Sequence, residues 1–253
     1  MRVFGEPFGE KLKERIGYLP EERGLYRKMK TLDHLVFLGE IKGLDRRTAA
    51  ERARRWLEKV ELADWADRTV ESLSKGMQQK IQFISTILHE PRFIILDEPF
   101  TGLDPINTQL LKDIIMDLKD GGRTIVLSTH LMDQVEKLCE EICLIHRGRK
   151  ILEGKVADVK MRFSQNVLTL RYSGDRRDIE ALPGVEKVSD FGRELAVTVL
   201  SGTDPNDVLR GALDRGRVDR FEIGELSLHD IFIQQVKERG GEIDEEAARN
   251  RTA

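Results

Sequence analysis

Four consecutive apolar residues, Phe93-Ile94-Ile95-Leu96, run directly into the adjacent carboxylates Asp97 and Glu98, and Pro99 stops the element. A short apolar run bounded by a turn signal reads as a strand buried on both faces, the habit of parallel sheets. In open α/β sheets the ligand crevice lies at the carboxyl ends of the strands. This run therefore delivers two acids to the rim where a ligand sits. Two acids there suit a hydrated cation and an attacking water.

The surrounding pattern supports a layered α/β domain. Elements alternate after this strand: a helix over 106–119, a strand over 124–128, a helix over 131–138 and a strand over 142–146. That βαβαβ rhythm predicts a parallel sheet carrying all three strands. Before the acidic strand, residues 1–26 read as loop with one short strand at 16–19. Helices follow from Thr31, capped by Thr31 or Asp33, from Arg46, and from Ser74 to the stop at Pro91. Arg46, Arg47, Arg52, Arg54 and Arg55 crowd the second of these and read as a solvated face. Arg147-Gly148 predicts a turn into a returning hairpin strand at 150–152, with a helix running on to about Phe163.

Beyond that point the order changes. Strands at 167–172, 185–189, 195–200 and 217–223 alternate with helices near 175–181, 204–214 and 227–238. A βαββαβ order predicts a small α+β module of ferredoxin-like type. The domains expected are thus 1–160, with a helical part over about 28–90, then 161–238, then a polar tail over 239–253.

Composition narrows the class. The chain has 253 residues, 40% of them hydrophobic, enough for one good core and a second small one. Its 42 basic and 45 acidic residues give a formal charge of −3. That balance speaks against a general nucleic-acid binder, which carries a basic excess. Cys139 and Cys143 are read as reduced, structural thiols. No apolar run approaches the ~20 residues needed to span a bilayer, and the start has no signal-peptide pattern. A cytoplasmic protein is expected, reaching a membrane only through a partner.

Three features can carry chemistry. If a nucleoside triphosphate binds at the rim, Asp97 is placed to hold magnesium through water, and Glu98 to polarise the water attacking the γ-phosphate. Ser74, followed by Lys75 and Gly76, opens a helix whose free N–H groups can face an anion. A serine cap is ordinary by itself; its order before the acidic strand makes it informative. His130 ends the 124–129 strand, where an imidazole can contact a γ-phosphate and sense its loss.

The ordered series resembles the nucleotide-binding subunit of ATP-binding cassette (ABC) transporters. Ser74 and Gly76, with Lys75 between, match the signature motif, and Phe93–Glu98 match Walker B. Leu103-Asp104 match the D-loop, and His130 the switch histidine. Residues 16–21 look like the Q-loop region, with Glu21 or Glu22 where the family has glutamine; a carboxylate there could still contact magnesium. The resemblance covers about residues 1–160. It implies a P-loop NTPase-like ABC ATPase core with a helical subdomain over 28–90 that docks on a membrane subunit. It also implies ATP and Mg2+ as cofactors, a polytopic permease partner, and a second ABC ATPase subunit sharing the sites. Location on the inner face of the cell membrane follows. The wording Leu73-Ser74-Lys75-Gly76-Met77-Gln78-Gln79-Lys80 and the appended module resemble the exporter branch with separate membrane subunits, which includes sodium and drug efflux ATPases.

One part of the pattern is absent. The sequence contains no G-x-x-x-x-G-K-[ST], so the backbone cradle, the lysine on the β/γ-phosphates and the hydroxyl on magnesium are missing. In the family that loop belongs upstream of Met1. Such a chain is expected not to hydrolyse ATP by itself, and to leave apolar sheet surface uncovered. Three readings follow: an ordinary ABC ATPase of which this is the rear portion, a degenerate partner offering only its signature motif in trans, or a soluble ABC ATPase outside transport.

Overall fold

The computed structural model describes residues 2–7, 9–22, 24–164, 166–224 and 226–238. The tail expected over 239–253 lies outside these described residues. The chain forms two compact units, residues 1–130 and 131–253. The boundary expected from sequence, near 160, falls within the second.

In the first unit, β1 (Arg2–Val3) and β2 (Glu6–Pro7) form a small hairpin, followed by α1 (Glu10–Lys13) and β3 (Ile16–Leu19). The sequence predicts loop over residues 1–15; the structure has β1, β2 and α1 there, elements of two to four residues that are too short to show a periodicity. Helices α2 (Thr31–Ile41) and α3 (Arg46–Lys59) pack on each other, and α4 (Lys75–Ile87) leads into β4 (Phe93–Asp97). Then come α5 (Pro105–Asp120) and β5 (Thr124–Ser128). The helix starts are locally encoded at three of these four helices: Asp45, Ser74 and Asp104 each accept a bond from a backbone N–H three residues on. The expected cap of α2 by Thr31 or Asp33 is not formed. Thr31 is the first helical residue, and its hydroxyl donates to the carbonyl of Arg68 at 3.0 Å, tying α2 to the returning chain.

β3, β4 and β5 make a parallel sheet in that order, in unbroken register from Ile16↔Phe93 to Asp97↔Ser128. One face is the core: Leu19, Ile94 and Leu96 are buried with Ile81, Phe83, Ile84 and Leu88 of α4 and its end. Gly17 marks how close α4 lies. A Cβ there would stand 2.4 Å from the carbonyl oxygen of Thr86, so only glycine allows the approach. The opposite face is open, since in-register neighbours Tyr18, Ile95 and Val126 share it and Tyr18 and Val126 are 55% and 46% exposed. The strand read as buried on both faces is therefore buried on one.

The second unit starts with α6 (Met132–Leu138), then the hairpin of β6 (Glu141–His146) and β7 (Arg149–Lys155). The sequence placed residues 142–146 in the parallel sheet. β6 is not a strand of that sheet; it pairs only with β7, the hairpin strand expected at 150–152, across a two-residue turn in which Arg147 and Gly148 both adopt positive φ (48° and 71°). After α7 (Val156–Ser164) come β8 (Val167–Ser173), α8 (Arg176–Glu180), β9 (Val185–Asp190), β10 (Leu195–Val199), α9 (Pro205–Leu213), β11 (Arg217–Ile223) and α10 (Leu228–Glu238). The antiparallel sheet runs β11-β8-β10-β9, the order of a ferredoxin-like module. Leu168, Leu170 and Val197 bury one face with Ile179 and Val208 of α8 and α9. Val167 and Ala196 bury the other with Val159, Leu228 and Ile231.

Candidate functional site

The rim of the parallel sheet is built from the ends of β4 and β5. Asp97 closes β4 opposite Ser128 and is half-buried. Glu98 then takes φ 45°, left-handed backbone that costs a residue with a Cβ roughly 1–2 kcal/mol. The neighbouring strand holds it there. The Glu98 N–H donates to the carbonyl of Ser128 at 2.9 Å. Its carboxylate accepts from the Thr129 hydroxyl at 3.1 Å and from the His130 N–H at 2.9 Å. The His130 ring approaches the same oxygen through Nδ1 at 2.8 Å. Three contacts from β5's exit thus fix one side chain, which is only 14% exposed, while the imidazole is 61% exposed. With Nδ1–H on the carboxylate, Nε2 is the nitrogen left for a ligand.

The segment after the acids folds back on the start of α4. The Thr101 N–H donates to the carbonyl of Glu98, and a Cβ built on Gly76 would meet the Gly102 oxygen at 3.4 Å and Leu103 at 3.6 Å. Asp104 closes this loop as the cap of α5, accepting from the Asn107 N–H at 2.9 Å and the Asn107 side-chain amide at 2.6 Å. Those bonds, led by the backbone one, hold its carboxyl below the ordinary aspartate value. At the start of α4, Ser74 accepts from the Met77 N–H at 3.2 Å, and both Ser74 and Lys75 are exposed. The anticipated capping role and the proposed ligand role coexist, since the hydroxyl still has its own proton to donate.

The structure thus brings Glu98 and His130 into direct contact, with Asp97 beside them, and sets Gly76 against the loop leading to Asp104. Glu21 is exposed, and among the described residues no hydrogen bond joins it to the acids. What anchors its segment is Gln82 of α4, whose amide donates to the carbonyls of Pro20 at 2.9 Å and Glu22 at 3.2 Å. Gln79 likewise donates to the carbonyl of Pro99 at 3.1 Å. Neither glutamine was singled out from sequence. The available signal was a polar row, Gln78-Gln79-Lys80 and Gln82, on a helix that otherwise buries isoleucine and phenylalanine; all four are buried.

Comparison with known proteins identifies the family. A family model described as ABC transporter matches residues 4–101, and one described as ATP-binding protein DrrA1-3-like, C-terminal domain, matches residues 154–236. The chain is similar to the uncharacterized ABC transporter ATP-binding protein YhaQ of Bacillus subtilis (strain 168), 40% identical over 232 residues, covering 92% of this chain and 78% of that protein. It is similar to the fluoroquinolones export ATP-binding protein Rv2688c of Mycobacterium tuberculosis (strain ATCC 25618 / H37Rv), 31% identical over 221 residues, covering 87% and 67%. A solved structure of the ATP binding subunit of an ABC transporter superposes with a TM-score of 0.56 at 30% identity, covering 60% of this chain and 63% of the other. No helix of the described residues is long and apolar enough to cross a membrane. With an acid strand, a capped signature helix and a relative matched over most of both lengths, the chain belongs to the ABC transporter ATP-binding protein family.

Proposed function

We propose that this chain is the ATP-hydrolysing part of an export system, driving transport through a separate polytopic membrane subunit. The observation that carries the reading is the Glu98 carboxylate, held at the sheet rim by Thr129 and His130 in a backbone conformation its neighbours must maintain. Backbone strain stabilised in this way is characteristic of functional positions. Glu98 is the base that orients and deprotonates the attacking water, and His130 contacts the γ-phosphate through Nε2.

Asp97 suits magnesium: it is a half-buried carboxylate at the strand end, and magnesium takes few protein carboxylates while keeping its waters. The bound ion would neutralise phosphate charge. Glu21, in a segment anchored to α4 by Gln82, is a second candidate for that ion's water shell. Ser74 and Lys75, exposed at a helix start, and the half-buried Gly76 serve the triphosphate of a second ABC ATPase subunit, and Asp104 shapes the loop alongside. Export rather than import follows from the signature wording and from the relative named for fluoroquinolone export.

A second reading rests on one observation: the exposed Ser74 start is intact while no phosphate loop occurs in the sequence. In that case the chain only completes a partner's site. Turnover of the assembled ATPase separates the two. The catalytic reading expects Glu98→Gln to keep ATP binding and lower turnover at least ~100-fold, the usual contribution of a general base. Unchanged turnover in Glu98→Gln, with loss in Ser74→Arg, would reject it in favour of the completing partner.

A further inference from the structure

Lys80 is a buried cation, and the carboxylates that act on it among the described residues, Glu61 and Asp104, are not themselves buried. Its residue is 5% exposed, and burial, partly opposed by Glu61 and Asp104, pushes its pKa below the ordinary lysine value. A charge in that position persists only if its donors are used well. They are: Nζ donates to the carbonyl of Val60 at 2.8 Å and to Oδ1 of Asn107 at 2.9 Å.

Both acceptors lie at helix ends. Val60 caps the C-terminus of α3, where carbonyls lack intrahelical partners and the helix dipole favours a cation. The chain leaves that end through Glu61 at φ 60°, so the turn is sharp and its carbonyl has few alternatives. Asn107 sits in the first turn of α5, and its other amide face and its N–H both engage the carboxylate of Asp104. A continuous chain of bonds therefore runs from the end of α3, through Lys80 of α4, to the loop Thr101–Asp104. A second link, Lys59 to Asp117 at 2.9 Å, joins the same two helices on the surface, where an ion pair contributes little.

We propose that Lys80 and Asn107 are positioning residues which set the conformation of the Asp104 loop by the position of the α3 end. A displacement of the α3 end is transmitted to that loop through the Lys80 ammonium group. The amide of Asn107 must accept from Lys80 and donate to Asp104 at once, which fixes its flip. The inference rests on the proposed role of the Asp104 loop beside a shared nucleotide, but its test does not need nucleotide.

Amide hydrogen exchange of the full chain, read by mass spectrometry, makes the test. Lys80→Met is expected to speed exchange of the Asn107 and Thr108 amides and of the α3 last turn by about tenfold, the scale of one lost charge-assisted hydrogen bond. Asn107→Ala should speed the first set and leave the α3 turn at the parent rate. Lys80→Arg, which keeps charge and donors, should restore both. Uniform acceleration across α4 and β4 in Lys80→Met, or no change at Asn107 and Thr108 in either variant, would overturn the proposal. Failure of the catalytic reading would show separately, as absent turnover in the parent assembly.

Discussion

Acid should loosen the first unit through two histidines that sequence reading left without a role. His34 on α2 is fully buried, and neither ring nitrogen has a hydrogen-bond partner among the described residues. Its ring lies 5.9 Å from that of Tyr26. Burial lowers its pKa from 6.5 to about 4. His89, with Nε2 3.2 Å from the carbonyl of Ile16, is also lowered to about 4, first by burial and then by the Lys42 charge. In both cases the folded pKa lies below the unfolded one, so the unfolded chain binds more protons across this interval. Stability is complete above pH 6.5 and is lost as the pH falls towards 4. The slope is at most about 1.4 kcal/mol per pH unit for each histidine, and the ceiling over the interval is about 3 kcal/mol each. Relaxation and water entry reduce such values, so about 1–2 kcal/mol each is the working figure. His34→Leu keeps the volume and removes the titration. Trp56 and Trp65 both lie in the first unit, so urea unfolding followed by tryptophan fluorescence at pH 7, 6, 5 and 4.5 reports it selectively. The variant should match or exceed the parent at pH 7 and lose about 1–2 kcal/mol less by pH 4.5. An acid slope equal to the parent's would refute the reasoning.

Other perturbations follow from single contacts. Gly17→Ala forces a methyl against the Thr86 carbonyl at 2.4 Å and should cost about 1–3 kcal/mol in the same fluorescence-monitored unfolding; a neutral effect would mean that β3 and α4 separate freely. Gln82→Met removes both bonds to the Glu21 segment, and limited proteolysis should cut faster near residues 20–22 while leaving the α4 region protected. In the second unit, Glu136 accepts from the Leu228 N–H and pairs with Lys160 at 3.0 Å. Glu136→Ala should lower the stability of that unit by about 1–3 kcal/mol, measured by exchange of the α10 amides, because a buried helix-start N–H loses its partner.

Much of the architecture was readable because its signals are local. The cap read at Ser74 forms, and in the structure Asp45 and Asp104 cap their helices in the same way, each accepting from the N–H three residues on. The β8-to-β11 region shows its strand–helix order through hydrophobic runs broken by turn residues, and the ferredoxin-like pairing follows from that order. Glu98 and His130 could be placed at a sheet rim because strand ends are local features too. Their bond could not, since residues 32 apart meet only when β5 lies in register beside β4.

What remained hidden depends on which surfaces face each other. The β6 strand has the apolar run of a parallel-sheet member, and although the turn at Arg147-Gly148 was legible, that β6 pairs with β7 alone was not. Gln79, Lys80 and Gln82 look like solvated helix residues, and they serve as internal struts because α4 is surrounded by chain ends with unpaired carbonyls. The amino-acid order by itself determined most of the longer elements, the Ser74 cap and the acids at the strand terminus, all set within a few residues of chain. Only the tertiary structure decided which polar groups were buried together, because satisfying a carbonyl 20 or 60 residues away is a condition on packing rather than on sequence neighbours.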